Sequence, residues 1–346
     1  MKSFDYARAT TEAALGQALL QGYTIKAGGI DLLDLLKERT AEPEKLVSIR
    51  SLIASNPEWT AIKVDGGAAH IGAAATLAQI AGSRELRAHA PVIVQCIEKA
   101  ATPQLRAVAT AAGNLCQRPR CWYFRSQEYN CLKKGGSTCF AVEGENKYHA
   151  VIGGGPCWIV HPSNLATGLL ATGGTVRARS MATASMSSTS PLTRRTSQQS
   201  SVDFPERLIP ADEFFTSLAP GLSTENTLRE GEYITDIEVP ACAKSAYVDF
   251  KEKEAFDWPL AAAGVAWHGD HWRVVLGGVA PVPWRALKAE QVLGANEDVD
   301  VELATQAGNA AIMGSRPMTQ NGWRLQLVVV AVRDALLKAC GKEIPA

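Results

Sequence analysis

Five of the eight cysteines in this 346-residue chain fall between positions 116 and 157. Cys116 and Cys121 belong to the run NLCQRPRCWYFR, and Cys131, Cys139 and Cys157 follow it; Cys96, Cys242 and Cys340 are scattered. Thiols gathered among glycine- and lysine-bearing spacers are what an iron–sulfur centre or another metal site requires. A structural zinc site usually takes two ligands from one tight knuckle, and these cysteines are spaced more widely than C-x2-C. A chain of this length does not need disulfides to fold, so a reducing compartment or a redox cofactor explains the sulfur better.

Three further segments bracket polar side chains with small residues. The first is Lys26-Ala27-Gly28-Gly29-Ile30-Asp31-Leu32-Leu33, set between a strand pattern and a helix pattern. Its glycines permit positive φ and close backbone approach. The helix start that follows offers unpaired N–H groups to an anion such as a phosphate. It is neither the dinucleotide fingerprint G-x-G-x-x-G nor a Walker loop, and a plain tight turn has the same composition. The second segment, Thr110-Ala111-Ala112-Gly113-Asn114-Leu115, and the third, His161-Pro162-Ser163-Asn164-Leu165, each read equally as a turn or a helix cap. Ser163 and Asn164 are both acceptable N-caps for the run LATGLLA.

These segments need elements to hold them. Residues 10–20 read as an amphipathic helix, 23–26 as a short strand and 30–39 as a second helix. Strand-like runs follow at 46–49, 59–64 and 69–71, then helices near 76–80 and 85–99, which makes an α/β layering. Residues 177–205 are Ser/Thr-rich without apolar period and read as a loop or linker. From Tyr247 the pattern turns to antiparallel strands with a hairpin at Gly269-Asp270, followed by two helical runs.

The bulk numbers narrow the function classes. Lys plus Arg equals Asp plus Glu at 35 each, which leaves no electrostatic footprint for nucleic acid. Hydrophobic content of 46% and charged content of 20% are those of a globular protein. The N-terminus is a poor signal peptide, and the longest uncharged run, 150–176, is broken by glycines and prolines, so no membrane span is expected.

Taken together, AGG-x-DLL, T-x-x-GNL, HPS-x-L, a LREGEYI segment, LGGVAPVPWRA and SRPMTQNGW occur in an order that resembles the flavin-carrying medium subunit of the molybdenum hydroxylases, the xanthine dehydrogenase and carbon monoxide dehydrogenase family. The resemblance implies an α+β fold: a two-part PCMH-type FAD-binding domain over 1–240, followed by a small α+β CO dehydrogenase flavoprotein C-terminal domain over 245–346. Residues 26–33 would wrap the FAD pyrophosphate, Thr110, Gly113 and Asn114 would hold the cofactor from a second loop, and Ser163 and Asn164 would meet it from a third. Leu228 and Lys251 match positions that flank FAD. The family commonly has Thr at Ile30 and Asp at Asn164.

A subset of the family, the bacterial three-subunit aldehyde oxidoreductases and 4-hydroxybenzoyl-CoA reductase, carries an added [4Fe–4S] cluster in an inserted loop, and RCWYFR…C…C resembles its signature. That resemblance assigns Cys121, Cys131, Cys139 and Cys157 as ligands, with Cys116 as a spare. Lys133 and Lys134 are either charge partners of such a cluster or an exposed basic loop. The implied role is electron transfer, from a molybdenum-cofactor large subunit through a [2Fe–2S] small subunit to FAD and on to an external acceptor. The compartment would be the cytoplasm, or the periplasm by co-export with a signal-bearing partner. No catalytic side-chain set stands out, and His161 reads as a structural imidazole. The alternatives are a stand-alone FAD oxidoreductase of the vanillyl-alcohol oxidase type and a zinc-stabilised scaffold subunit.

Overall fold

The computed structural model describes residues 1–181, 204–217 and 224–345. Its first layer is β1 (Asp5–Arg8), α1 (Glu12–Leu20), β2 (Thr24–Lys26), α2 (Ile30–Lys37), β3 (Lys45–Ser48) and α3 (Arg50–Ser55). The strands form a parallel sheet ordered β1-β3-β2, with Ile25 opposite Val47. Thr11 starts α1 by accepting from the Ala14 N–H at 3.1 Å. Leu15 then packs into a small core with Val47, Ile49 and Trp59.

The strand expected over 59–64 begins later. Pro57 opens a 3-10 turn, Pro57–Thr60, capped by the Asn56 side chain, and β4 covers Ile62–Asp65 before β5 (Ala68–Gly72). Next come α4 (Leu77–Gly82), α5 (Arg84–His89), α6 (Pro91–Glu98), α7 (Pro103–Arg106), α8 (Ala111–Leu115) and α9 (Trp122–Arg125). The single helix expected over 85–99 is thus two. Pro91 has no N–H to continue a helix and instead supplies the first residue of a new one, with Ala90 pushed to φ −148°.

The chain continues with α10 (Asn164–Thr172), β6 (Thr175–Arg179), β7 (Glu206–Pro210), α11 (Ala211–Phe214) and β8 (Tyr233–Pro240). An antiparallel sheet forms in the order β4-β5-β8-β6-β7. Arg177, Ala178 and Arg179, assigned above to the Ser/Thr-rich linker, are therefore strand residues. Arg179 pairs with Glu206 in the ladder, and the Arg177 guanidinium lies 2.8 Å from the Glu206 carboxylate. The rest of that expected linker, 182–203, lies outside the described residues.

The C-terminal part is β9 (Ser245–Phe250), β10 (Ala261–Trp267), β11 (Trp272–Gly277), β12 (Trp284–Arg285), α12 (Leu287–Leu293), α13 (Val301–Ala311) and α14 (Arg324–Ala339). The expected hairpin is present: Trp267 pairs with Trp272 across a turn in which Gly269 has φ +89°. This sheet is buried on both faces. Ala261, Ala263 and Val265 share a core with α13 and α14, while Ala262 and Ala266 share one with α6 and α10. Small residues allow that close approach; a Cβ on Gly277 would stand 2.5 Å from the Thr167 hydroxyl oxygen of α10.

Arg324 ties the sheet to the cysteine-bearing segment. It is 1% exposed, and it donates to the Leu260 carbonyl at 2.9 Å, the His149 carbonyl at 2.7 Å and the Gly278 carbonyl. Burial lowers its pKa to about 10, so it remains charged at neutral pH. Among the described residues no helix is long and apolar enough to cross a membrane. Arg324→Met strands several buried carbonyls and is expected to cost about 3 kcal/mol of unfolding free energy, read as a lowered denaturant midpoint.

Candidate functional site

The three segments singled out above converge on one cleft of about 800 Å³. Its first wall is the β2–α2 loop. Gly29 sits at φ +82°, a conformation glycine adopts without strain. A Cβ on Gly28 would stand 2.1 Å from the Val108 carbonyl oxygen, so only glycine lets these two backbones touch. No side chain caps α2, which leaves its first-turn N–H groups for an anion in the cleft.

The second wall is α8 and the segment it rests on. Ala111 and Ala112 donate to the carbonyls of Ala75 and Ala73 at 2.8 and 3.0 Å. Thr110 caps α8 by accepting from the Gly113 N–H at 3.2 Å. Ser163, not Asn164, is the N-cap of α10, and its hydroxyl also donates to Asn114 Oδ1 at 2.6 Å. That bond fixes the second segment to the third. Trp59 and Tyr233 stack at 6.0 Å and complete the lining.

Twelve of the fifteen residues expected around a cofactor line this cleft: Ala27 through Leu33, Thr110, Gly113, Asn114, Asn164 and Leu228. The other three do not. Lys26 lies one residue short of the lining, and Ser163 stands behind Asn114. Lys251 turns away, pairing with Asp249 at 3.1 Å and donating to the Lys99 carbonyl.

The Asp31 side chain does not face an anion. Its Oδ2 accepts from the Arg118 N–H at 2.8 Å, and its Oδ1 takes Arg125 at 2.7 Å together with Arg120. Burial acts to raise the carboxyl's pKa, but Arg120, the Arg118 N–H and Arg125 outweigh it and hold the group below the usual carboxylate range. The helix that starts at the cleft is thereby fastened to the loop that carries Cys121.

Cys121, Cys131, Cys139 and Cys157 line a second, closed space of about 10 Å³, with Phe124, Lys133 and His149. Interaction between the Cys139 and Cys157 thiols lowers the Cys139 pKa to about 6 and raises that of Cys157. Burial pushes Cys121 up to about 11. Among the described residues no three His, Cys, Asp or Glu side chains converge as a single metal ion would require. Cys116 is not in this space; it lines the cleft instead. The exposed-loop reading of Lys133 is overturned, since its side chain is 1% exposed and 2.5 Å from Glu225 Oε1.

The family described as "FAD binding domain in molybdopterin dehydrogenase" matches residues 2–242. The chain belongs to this family. The aldehyde oxidoreductase FAD-binding subunit PaoB of Escherichia coli K12 is 30% identical over 98% of this chain and 99% of its own length. The carbon monoxide dehydrogenase medium chain of Hydrogenophaga pseudoflava is 26% identical over 79% of this chain and 72% of its own. Quinoline 2-oxidoreductase from Pseudomonas putida 86 shares the fold, with a TM-score of 0.69 at 20% identity over 99% of both chains. The protein is an FAD-binding medium subunit of the molybdenum hydroxylase family, an oxidoreductase component with the expected mixed helix-and-sheet fold.

An FAD-binding subunit needs a cleft of dinucleotide size, and a helix start without a side-chain cap lines this one. Sequence reading passed over Arg118 and Arg120 as cleft residues, along with Trp258, over which the Arg120 guanidinium stacks at 5.1 Å. It also missed His149, whose Nε2 lies 3.2 Å from Cys121 Sγ. The Asn at position 164 has a local reason: its amide donates to the Cys96 carbonyl at 3.2 Å, which a carboxylate could not do. His161 lines neither space. Its ring packs on Phe215 at 5.0 Å, and Nδ1 accepts from the Ser163 N–H at 3.4 Å.

Burial, then Lys133, lowers the His161 pKa from 6.5 to about 3. The unfolded chain's imidazole binds a proton below about pH 6.5 and the buried one does not. The stabilisation is therefore complete above pH 6.5 and is lost as the pH falls toward 3. His161→Phe is expected to flatten the fall in unfolding free energy between pH 6.5 and 5 by at most about 1.4 kcal/mol per pH unit, measured by urea titration across that range.

Proposed function

We propose that this chain is the FAD- and [4Fe–4S]-containing electron-transfer subunit of a molybdenum-dependent hydroxylase complex that oxidises an aldehyde or aromatic substrate. Its partners are a molybdenum-cofactor large subunit and a [2Fe–2S] small subunit, and it delivers electrons to an external acceptor. The observation that carries the cluster is the gathering of four thiols, from segments spread over residues 121–157, around one space beside a buried lysine. The 30% identity to an aldehyde oxidoreductase FAD-binding subunit over nearly the whole chain supports the substrate class.

Bound FAD supplies one- and two-electron exchange. The protein's part is placement. The α2 N-terminus and the Gly28–Gly29 backbone receive the pyrophosphate, Thr110, Gly113 and Asn114 close the second side, and Asn164 and Leu228 meet the cofactor farther along. Four thiolates match the ligand set of a cubane. The 10 Å³ space is smaller than such a cube, so holding one would require the thiols to move apart. All four sit on loops or at helix starts, outside the named strands.

The 3.2 Å contact between His149 Nε2 and Cys121 Sγ pairs a thiol with an imidazole, and it is the observation on the side of the zinc-scaffold alternative. A visible spectrum of purified protein separates the readings. Flavin bands with a broad iron–sulfur shoulder are expected; flavin alone means no cluster, and a colourless protein means neither cofactor. Gly29→Val, which puts a β-branched side chain at φ +82°, is expected to abolish FAD retention on gel filtration, and full flavin occupancy would contradict the loop's role. Cys131→Ser is expected to lose its iron while keeping FAD; unchanged iron in that variant excludes this ligand set.

A further inference from the structure

Glu225 lies three residues before Leu228 of the LREGEYI segment, and its carboxylate stands between the two spaces. The residue is 3% exposed. Its Oε2 lies 2.8 Å from Arg118 Nε, and its Oε1 lies 2.5 Å from Lys133 Nζ. Arg118 lines the FAD cleft and Lys133 lines the cysteine space. The backbone holds Glu225 in place: the Thr216 N–H donates to its carbonyl at 3.1 Å, and Phe215 pairs with Asn226 beside it.

Two cations from the two walls thus share one buried carboxylate. Such triads are poor devices for stability, because desolvating three charges offsets their attraction and apolar residues of the same volume often serve better. Their position at a redox site gives them another use. In a low-dielectric interior a nearby positive charge favours the reduced, more negative form of a centre, and a nearby negative charge disfavours it.

We infer that Glu225 is a positioning residue that holds Arg118 against the FAD cleft and Lys133 against the cysteine space, and so sets the reduction potentials of both centres together. This rests on the cluster reading of the preceding subsection. Lys133 brings positive charge to the cysteine space, Arg118 brings it to the cleft, and Glu225 moderates both.

Anaerobic potentiometric titration of the full chain, following flavin absorbance and the cluster's EPR signal, tests this. Glu225→Gln keeps the shape and removes the charge, and both potentials are expected to shift positive. Lys133→Met fills the same volume without charge and is expected to shift the cluster negative and the flavin by less. Glu225→Asp is expected to return both centres toward the wild-type values. Glu225→Gln with full FAD and iron, yet with either potential unmoved, overturns the inference. If that variant does not accumulate, an unmoved cluster potential in Lys133→Met overturns it alone. Wild-type protein that holds no cluster sinks the earlier reading, whereas loaded wild type with unmoved variants sinks only this one.

Discussion

The Asp31 carboxylate is the constraint on which the rest of the site depends. It belongs to the first turn of the helix whose N-terminus faces the FAD cleft, and it spends its oxygens on Arg120, Arg125 and the Arg118 N–H. Those three residues flank Cys121. One acidic side chain therefore sets the distance between the helix that starts at the cleft and the cysteine loop. The pair is mostly desolvated, with Asp31 and Arg125 side chains 15% and 10% exposed, so its Coulomb attraction is screened far less than a surface pair's. Arg125 reaches on to Glu38 at the far end of the same helix, at 3.0 Å, so the loop is gripped at both ends of α2.

Small residues do for the backbone what Asp31 does for the side chains. Gly28 against Val108, and Gly277 against Thr167, let layers meet at distances that a single methyl group would prevent. The Ser163–Asn114 bond then joins the second cofactor segment to the third. Positioning passes from strand to loop to helix start, and none of it uses a catalytic side chain. That suits a subunit whose chemistry belongs to its cofactors.

Much of this was legible in sequence because it rests on local rules. The Gly28-Gly29 turn, the Thr110 and Ser163 caps and the hairpin at Gly269 each follow from backbone preferences within a few residues. The four cysteines of the second space were legible from family order, since their spacing alone left zinc and cluster readings open. The illegible parts are long-range. Nothing near Glu225 announces that it meets Arg118 and Lys133, each about a hundred residues away in sequence. His149 gave only a lone histidine upstream of Cys157, and Lys133 read equally as a cluster's charge partner or a solvated loop residue until Glu225 was seen beside it. The break between α5 and α6 was a missed local signal: Pro91 was present to be read.

The central claim is that one polypeptide houses a flavin and a cubane cluster in adjoining spaces fastened together at Asp31. Anaerobic reconstitution followed by chemical assay of FAD, iron and acid-labile sulfide on the same purified chain tests it most directly. The account predicts one FAD with about four iron and about four sulfide per chain. Material that holds FAD but neither iron nor sulfide would contradict it.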